Sequence, residues 1–200
     1  MLLEFQRSGQ RRYGIHVKRP PFPDVEMSPA PGYDQLMPHD MMHLVVEARL
    51  GLTRGVFGQL AEGGDAGTFH LSIYKQTTRE LSRARSRLRT RGKKLLLEGR
   101  DESAQSERAA YICWHEWRNR SSVDKQRSEA RSMTSQARQV KDVAGKQELL
   151  NLSKRKIEEI CDYLDKLSSH WSQLEVGQSM IVRWPDLTIL DADSMHSILI

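Results

Sequence analysis

The spacing of apolar positions changes twice along this chain, and each change marks a different kind of element. Leu3 and Phe5, then Tyr13, Ile15 and Val17, alternate with other residues, and Ser8-Gly9-Gln10 lies between the two runs. A period of two around a turn sequence predicts a β-hairpin. Pro20-Pro21-Phe22-Pro23 interrupts it, Val25-Glu26-Met27 predicts a third short strand, and Pro29-Ala30-Pro31-Gly32 predicts a loop. The period then becomes helical. Met37 to Leu50 contains no glycine. Pro38 suits its first turn, Asp40 places negative charge where the helix dipole favours it, and Gly51 ends it. Gly55 to Ala61 predicts one or two further turns, and Gly63-Gly64-Asp65-Ala66-Gly67 a flexible, tightly turning loop.

From Thr77 the spacing stays helical for about a hundred residues. Thr77 or Thr78 caps the first of these helices, with Glu80 in its first turn. Gly92 weakens it and Gly99-Arg100-Asp101 breaks it. A second helix is predicted from about Ser103 past Trp117. Residues 121–147, rich in Ser, Gln, Lys and Arg, read as exposed helix or as partly disordered chain. The clearest helical seam is Leu150, Ile157, Ile160, Leu164, Leu167, Trp171 and Leu174, suited to an antiparallel helical hairpin or coiled coil. Gly177 ends it, Ser179 to Trp184 reads as a strand, and Leu187 to Leu190 as another. The pattern therefore predicts an α+β fold. A small antiparallel sheet joins the N-terminal hairpin to the C-terminal strand, the helix of residues 37–50 packs on it, and a long helical hairpin or bundle completes it. Residues 1–75 with 176–200 form the small α+β domain on this reading, and 76–175 a helical insertion or arm.

Composition narrows the class. Hydrophobic residues are 38% of the chain and charged residues 28%, enough for a core in a rather polar protein. No apolar run approaches the roughly 20 residues that span a bilayer, and Met1 to Phe5 lacks the basic and apolar regions of a secretion signal. Cys113 and Cys161, both in helical patterns, read as buried thiols of a reducing compartment, which places the protein in the cytoplasm and away from membranes. The net charge of +5 is concentrated: residues 76–100 carry 9 basic and 2 acidic side chains, while 1–75 balance at zero and 101–200 are net −2.

One segment suggests chemistry. His39 and His43 stand one helical turn apart on a single face, so two imidazoles can reach one metal ion. Asp40 lies beside the first, in the glutamate position of an H-E-x-x-H pattern, and is a candidate general base on a metal-bound water. Glu47 shares the face but lies eight residues from His39, roughly 12 Å of rise, so it serves as a support for His43 or as part of the core edge, not as a third ligand. That ligand must come from His70, Asp65, Glu62 or His16, with His70 the first choice. The alternative is structural: Asp40 stabilises a helix start and His43 is a satisfied residue at the core edge. An HD-type phosphohydrolase is disfavoured because His16, the upstream histidine it needs, falls in a predicted strand.

Pro31-Gly32-Tyr33-Asp34, Pro38-His39-Asp40-x-x-His43-x-x-Val46-Glu47 and Gly63-Gly64-Asp65-Ala66-Gly67-Thr68-Phe69, with Trp171-x-x-Leu174-x-x-Gly177 and Trp184-Pro185, resemble the motifs of a family of uncharacterised bacterial proteins. The resemblance covers about a third of the chain and implies a bacterial cytoplasmic protein without an assigned activity. The H-D-x-x-H core is also similar to that of a ubiquinone-biosynthesis protein family, which carries zinc there. That family places a glutamate twelve residues after the second histidine, where this chain has Gly55.

The basic segment is the other candidate. Arg79 to Lys94 surrounds a narrow apolar stripe with cations, and Arg83, Arg87 and Arg91 are its predicted phosphate or nucleic-acid contacts. No aromatic residue interleaves them, so base stacking is not suggested. The alternative is a solvated face paired with acidic neighbours such as Glu102, Glu107, Glu158 and Glu159. Tyr111 to Trp117 is an aromatic cluster expected in the core. The glycine-rich loop lacks the Gly-Lys-Ser/Thr of a P-loop, and there is no G-x-S-x-G nucleophile elbow. Two hypotheses follow: a zinc site on His39 and His43 used to hydrolyse an amide or ester, or a non-enzymatic protein whose helical arm binds a protein partner or nucleic acid.

Overall fold

The computed structural model describes residues 1–32, 36–72, 78–120 and 136–190. The fold is α+β, with helices against a mixed-order antiparallel sheet. Strands β1 (Leu2–Gly9), β2 (Arg12–Lys18) and β3 (Val25–Ala30) form the predicted meander, followed by β4 (His70–Leu71), β5 (Ser179–Arg183) and β6 (Ile189–Leu190). Their order is β4-β3-β2-β1-β5-β6. The C-terminal strand closes on the N-terminal one, as the alternation predicts, with Leu3 opposite Val182 and Phe5 opposite Met180. On the other side Leu3 faces Val17, Phe5 faces Ile15, and Ile15 faces Met27. Because side chains alternate with period two, this register puts all these apolar residues on one buried face. The predicted loop at Pro29 is instead strand. Pro29 falls where the β2–β3 register shifts, with Ser28 and Pro29 opposite Gly14 between the Tyr13–Ala30 and Ile15–Met27 pairs, an irregularity that accommodates a residue without an N–H.

Helix α1 (His39–Leu50) is the central helix. Seven consecutive residues, Met41 to Glu47, are buried, so it is covered on nearly every side. Pro38 is its N-cap residue, one position earlier than predicted, and Gly51 ends it at φ 68°, where a glycine costs no steric strain. Helix α2 (Val56–Ala61) follows, then α3 (Thr78–Glu98) and α4 (Arg100–Asn119). The α3–α4 break is the single residue Gly99, where a Cβ would crowd the Arg54 carbonyl. Gly92, expected only to weaken α3, lets the 63–67 loop approach: a Cβ there would overlap the Asp65 carboxylate.

Residues 121–135 of the polar stretch lie outside the described residues. Beyond them come a helical segment at 136–142, the short helix α5 (Lys146–Asn151) and α6 (Lys154–Gln173). Ile157, Ile160, Leu164, Leu167 and Trp171 bury the predicted seam. Leu150 does not share it. It is 75% exposed on α5, and Leu152, at the break before Ser153 caps α6, is buried instead. α4 and α6 form the antiparallel helical pair: Trp117 Nε1 donates to Asp165 at 2.6 Å and Arg120 pairs with Asp162 at 3.0 Å, so sequence rises along one helix as it falls along the other. Cys113 and Cys161 are free and buried in this region, and burial pushes the Cys161 thiol up to about 12. One buried cluster runs through the sheet, α1, α4 and α6. Tyr13 links its layers: its ring meets Trp171 of α6 edge-on at 6.4 Å, and its hydroxyl donates to Asp40 of α1. No helix of the described residues is long and apolar enough to cross a membrane.

Candidate metal centre

The i, i+4 spacing on α1 brings His39 and His43 together. Their rings meet edge-on with centroids 4.9 Å apart, and their Nε2 atoms share a hydrogen bond at 3.2 Å. His39 sits at the exposed start of the helix, while His43 is only 5% exposed. Burial lowers the pKa of His43, an effect that nearby His39 reinforces and Glu107 opposes. The imidazole is thus held neutral, the form that ligates metals or accepts protons.

The other nitrogen of His43 is fixed by α4. Nδ1–H donates to Ser106 Oγ at 3.2 Å, and the Ser106 hydroxyl donates to Glu47 Oε1 at 3.0 Å. This tautomer leaves the Nε2 lone pair facing His39. Glu47 is itself locked, accepting from the backbone N–H groups of Val56 and Phe57, both at 2.8 Å. Burial outweighs these donors and raises its pKa to about 7. Glu47 therefore supports His43 through Ser106, across the axial distance that prevents it from being a third ligand. It also accounts for Gly55, where the similar zinc family has glutamate: a Cβ at Gly55 would overlap the Glu47 carboxylate.

His39 and His43 open onto a cleft of about 330 Å³ lined also by Gly32, Glu107, Tyr111 and Trp114. Glu107, Tyr111 and Trp114 are spaced i, i+4, i+7, one face of α4. The sequence reading places Tyr111 and Trp114 in the core and Glu107 among the acidic partners of a solvated basic helix. The i, i+4, i+7 pattern was present, but nothing local marked it as facing α1. Glu107 Oε2 is 3.9 Å from His43 Nε2, and its side chain is 72% exposed. Gly32 is held at φ 76°, with a Cβ there only 3.0 Å from the His39 Cβ, so this wall too requires glycine.

The remaining predicted site residues lie elsewhere. Asp40, one residue from His39, points around the helix to accept the Tyr13 hydroxyl, and burial raises its pKa. It does not line the cleft, which removes its expected place as base on water there. His70, the first choice for third ligand, lies on β4 with Nε2 3.4 Å from Glu26, whose other oxygen meets His16 Nδ1 at 3.2 Å. Both histidines are on the sheet face opposite the core, away from α1. Asp65 accepts from the Gly67 N–H at 3.1 Å and Glu62 pairs with Arg54. Among the described residues, no three His, Cys, Asp or Glu side chains are already arranged as a complete metal set. In α3, Arg83, Arg87 and Arg91 are all exposed, and the Arg91 guanidinium lies over the Phe22 ring, 4.5 Å from its centroid. No family model, curated protein or solved structure matches this chain.

Proposed function

We propose that His39 and His43 hold a divalent metal ion, zinc by its preference for imidazole, and that Glu107 swings in as the third protein ligand. The observation that carries this reading is the 3.2 Å separation of the two Nε2 atoms. Two nitrogens each about 2.0–2.1 Å from a tetrahedral ion lie about 3.3 Å apart, so the pair is set for a shared ion with little movement. The Nδ1–Ser106–Glu47 connection supports it, since a ligating histidine donates its other N–H to a fixed acceptor. Glu107 is exposed and free to rotate the small distance needed. An ion with three protein ligands supplies a Lewis acid and an activated water. Hydrolysis of a small amide or ester is the reaction class we assign to it, because the cleft is at the lower end of ligand-sized pockets and has an aromatic wall. The buried free thiols suit a reducing, cytoplasmic setting.

Metal analysis of protein purified under zinc-replete conditions tests the reading. One equivalent in the wild type, lost in His39→Ala with His43→Ala and weakened in Glu107→Gln, is expected. A metal-free wild type, or a double variant with wild-type content and an intact circular-dichroism spectrum, refutes it.

A further inference from the structure

Helix α3 is bound to the body along a narrow seam. Leu88, Gly92 and Leu95 are buried and Leu81 and Ala84 half-buried, while most other described positions of the helix are exposed. At about 100° of turn per residue these seam positions span roughly a quarter of the circumference. The exposed remainder has an order of its own. Arg85, Arg89 and Lys93 follow one another at i, i+4, i+8 along one flank, lining an open hollow with Ser86 and Thr90. Arg83 and Arg87 follow the other flank. Between the flanks, over the stretch 82–90, run Ser82, Ser86 and Thr90, all small, with exposed Arg79 and Leu97 on the same side at the two ends of the helix. Among the described residues none of these five cations is in an ion pair, whereas Lys94 pairs with Glu98 and Arg91 is turned away onto Phe22.

Two cation rows that bracket a small-residue midline match a specific shape. The helix is about 31 Å long and, with side chains, about 10–12 Å across. The major groove of B-form DNA is about 12 Å wide and admits such a helix, its walls being the two phosphate backbones. Small midline residues let the helix axis approach the groove floor, while long arginines on both flanks reach the walls. Single strands fit less well because no aromatic side chain stands on this face to stack bases. A-form RNA fits less well because its major groove is deep and narrow. We propose that α3 binds duplex DNA by lying in the major groove, with Arg83 and Arg87 on one backbone and Arg85, Arg89 and Lys93 on the other. The midline offers no bidentate reader of a base edge, so binding is largely independent of sequence. This surface is separate from the histidine cleft.

The test is fluorescence anisotropy of the full-length protein with a 20-base-pair DNA duplex of arbitrary sequence at several salt concentrations. Parallel arms use the single strand, the same duplex as RNA, and vesicles containing phosphatidylglycerol. Five phosphate contacts predict a log–log salt slope of about −4 to −5. Arg85→Ala/Arg89→Ala/Lys93→Ala should reduce its magnitude by about 2.7, and Arg83→Ala/Arg87→Ala by about 1.8. Arg91→Ala should leave it unchanged. Alanine favours helix, so these exposed changes preserve α3, as circular dichroism will verify. The proposal is overturned if the duplex is not bound at 50 mM salt, if single strands, duplex RNA or the vesicles bind as tightly, or if either row can be removed without changing the slope.

Discussion

His39 with His43, and His16 with His70, are two histidine groups on opposite sides of one sheet, and they differ in what stands between the imidazoles. On the outer face the strand register lines up Glu4, His16, Glu26 and His70 across four neighbouring strands. Glu26 sits between the two histidines with an oxygen within 3.4 Å of each, so this group is electrostatically complete in half-exposed surroundings. In the cleft the two Nε2 atoms face each other with no carboxylate in hydrogen-bond reach, and one of them belongs to a buried ring whose other nitrogen is fixed. Counting imidazoles does not distinguish the groups. In the cleft the nearest carboxylate, Glu107, stands back at 3.9 Å from His43 Nε2 and is 72% exposed, whereas Glu26 already bridges the outer pair.

The comparison can be broken most directly by zinc titration. Structural zinc sites with four ligands contribute about 10–16 kcal/mol, so losing one ligand should cost roughly 3–4 kcal/mol, of the order of several hundred-fold in affinity. His43→Ala is expected to show that loss, while His16→Ala and His70→Ala keep the wild-type affinity. An equal loss in His70→Ala would erase the distinction. Next in size is the pH dependence of stability contributed by Glu47. Its pKa rises from 4.5 to about 7 on folding, so the folded state binds this proton more tightly than the unfolded state. The stabilisation is fully present below about 4.5 and is lost as pH rises through about 7, amounting to about 3 kcal/mol. Urea denaturation of metal-free protein across that window should show the decline in the wild type and a flatter profile in Glu47→Gln.

A smaller effect probes the support of His43. Ser106→Ala should lower zinc affinity about 10–100-fold with little change in stoichiometry, since it removes the acceptor that fixes the ring. An unchanged affinity would make the Ser106 bond incidental. The smallest effect is expected outside: Glu26→Gln should cost under about 1 kcal/mol by thermal denaturation, as for other half-exposed cross-strand pairs, and leave zinc binding alone.

Much of the fold was legible because its signals are local. Alternation in Leu3, Phe5, Tyr13, Ile15 and Val17 produced the hairpin, and the seam from Ile157 to Trp171 produced α6. The errors also have local causes. Pro29 reads as a strand-breaker unless the register shift that accommodates it is known, and Leu150 fits the seam's spacing while belonging to a different helix. Half of the candidate site was legible too, because an i, i+4 pair meets on any helix. Its other half was not: Ser106 lies 63 residues from His43 in sequence, and no periodicity relates them.

By itself, then, the sequence determined the N-terminal hairpin, the strand after Gly177, the main helices, the histidine pair and the concentration of charge on residues 76–100, all consequences of local pattern within a few residues. Only the tertiary structure decided which carboxylates those histidines meet. Packing α4 against α1 brings Ser106 and Glu107 to His43, while the sheet register carries His70 and His16 to Glu26 on the far side. The physical reason is that distant groups meet wherever the apolar faces of their elements are buried together, and burial then sets their protonation. Glu47, an ordinary carboxylate in the sequence, titrates near 7 and anchors His43 only because α1 is enclosed on nearly every side.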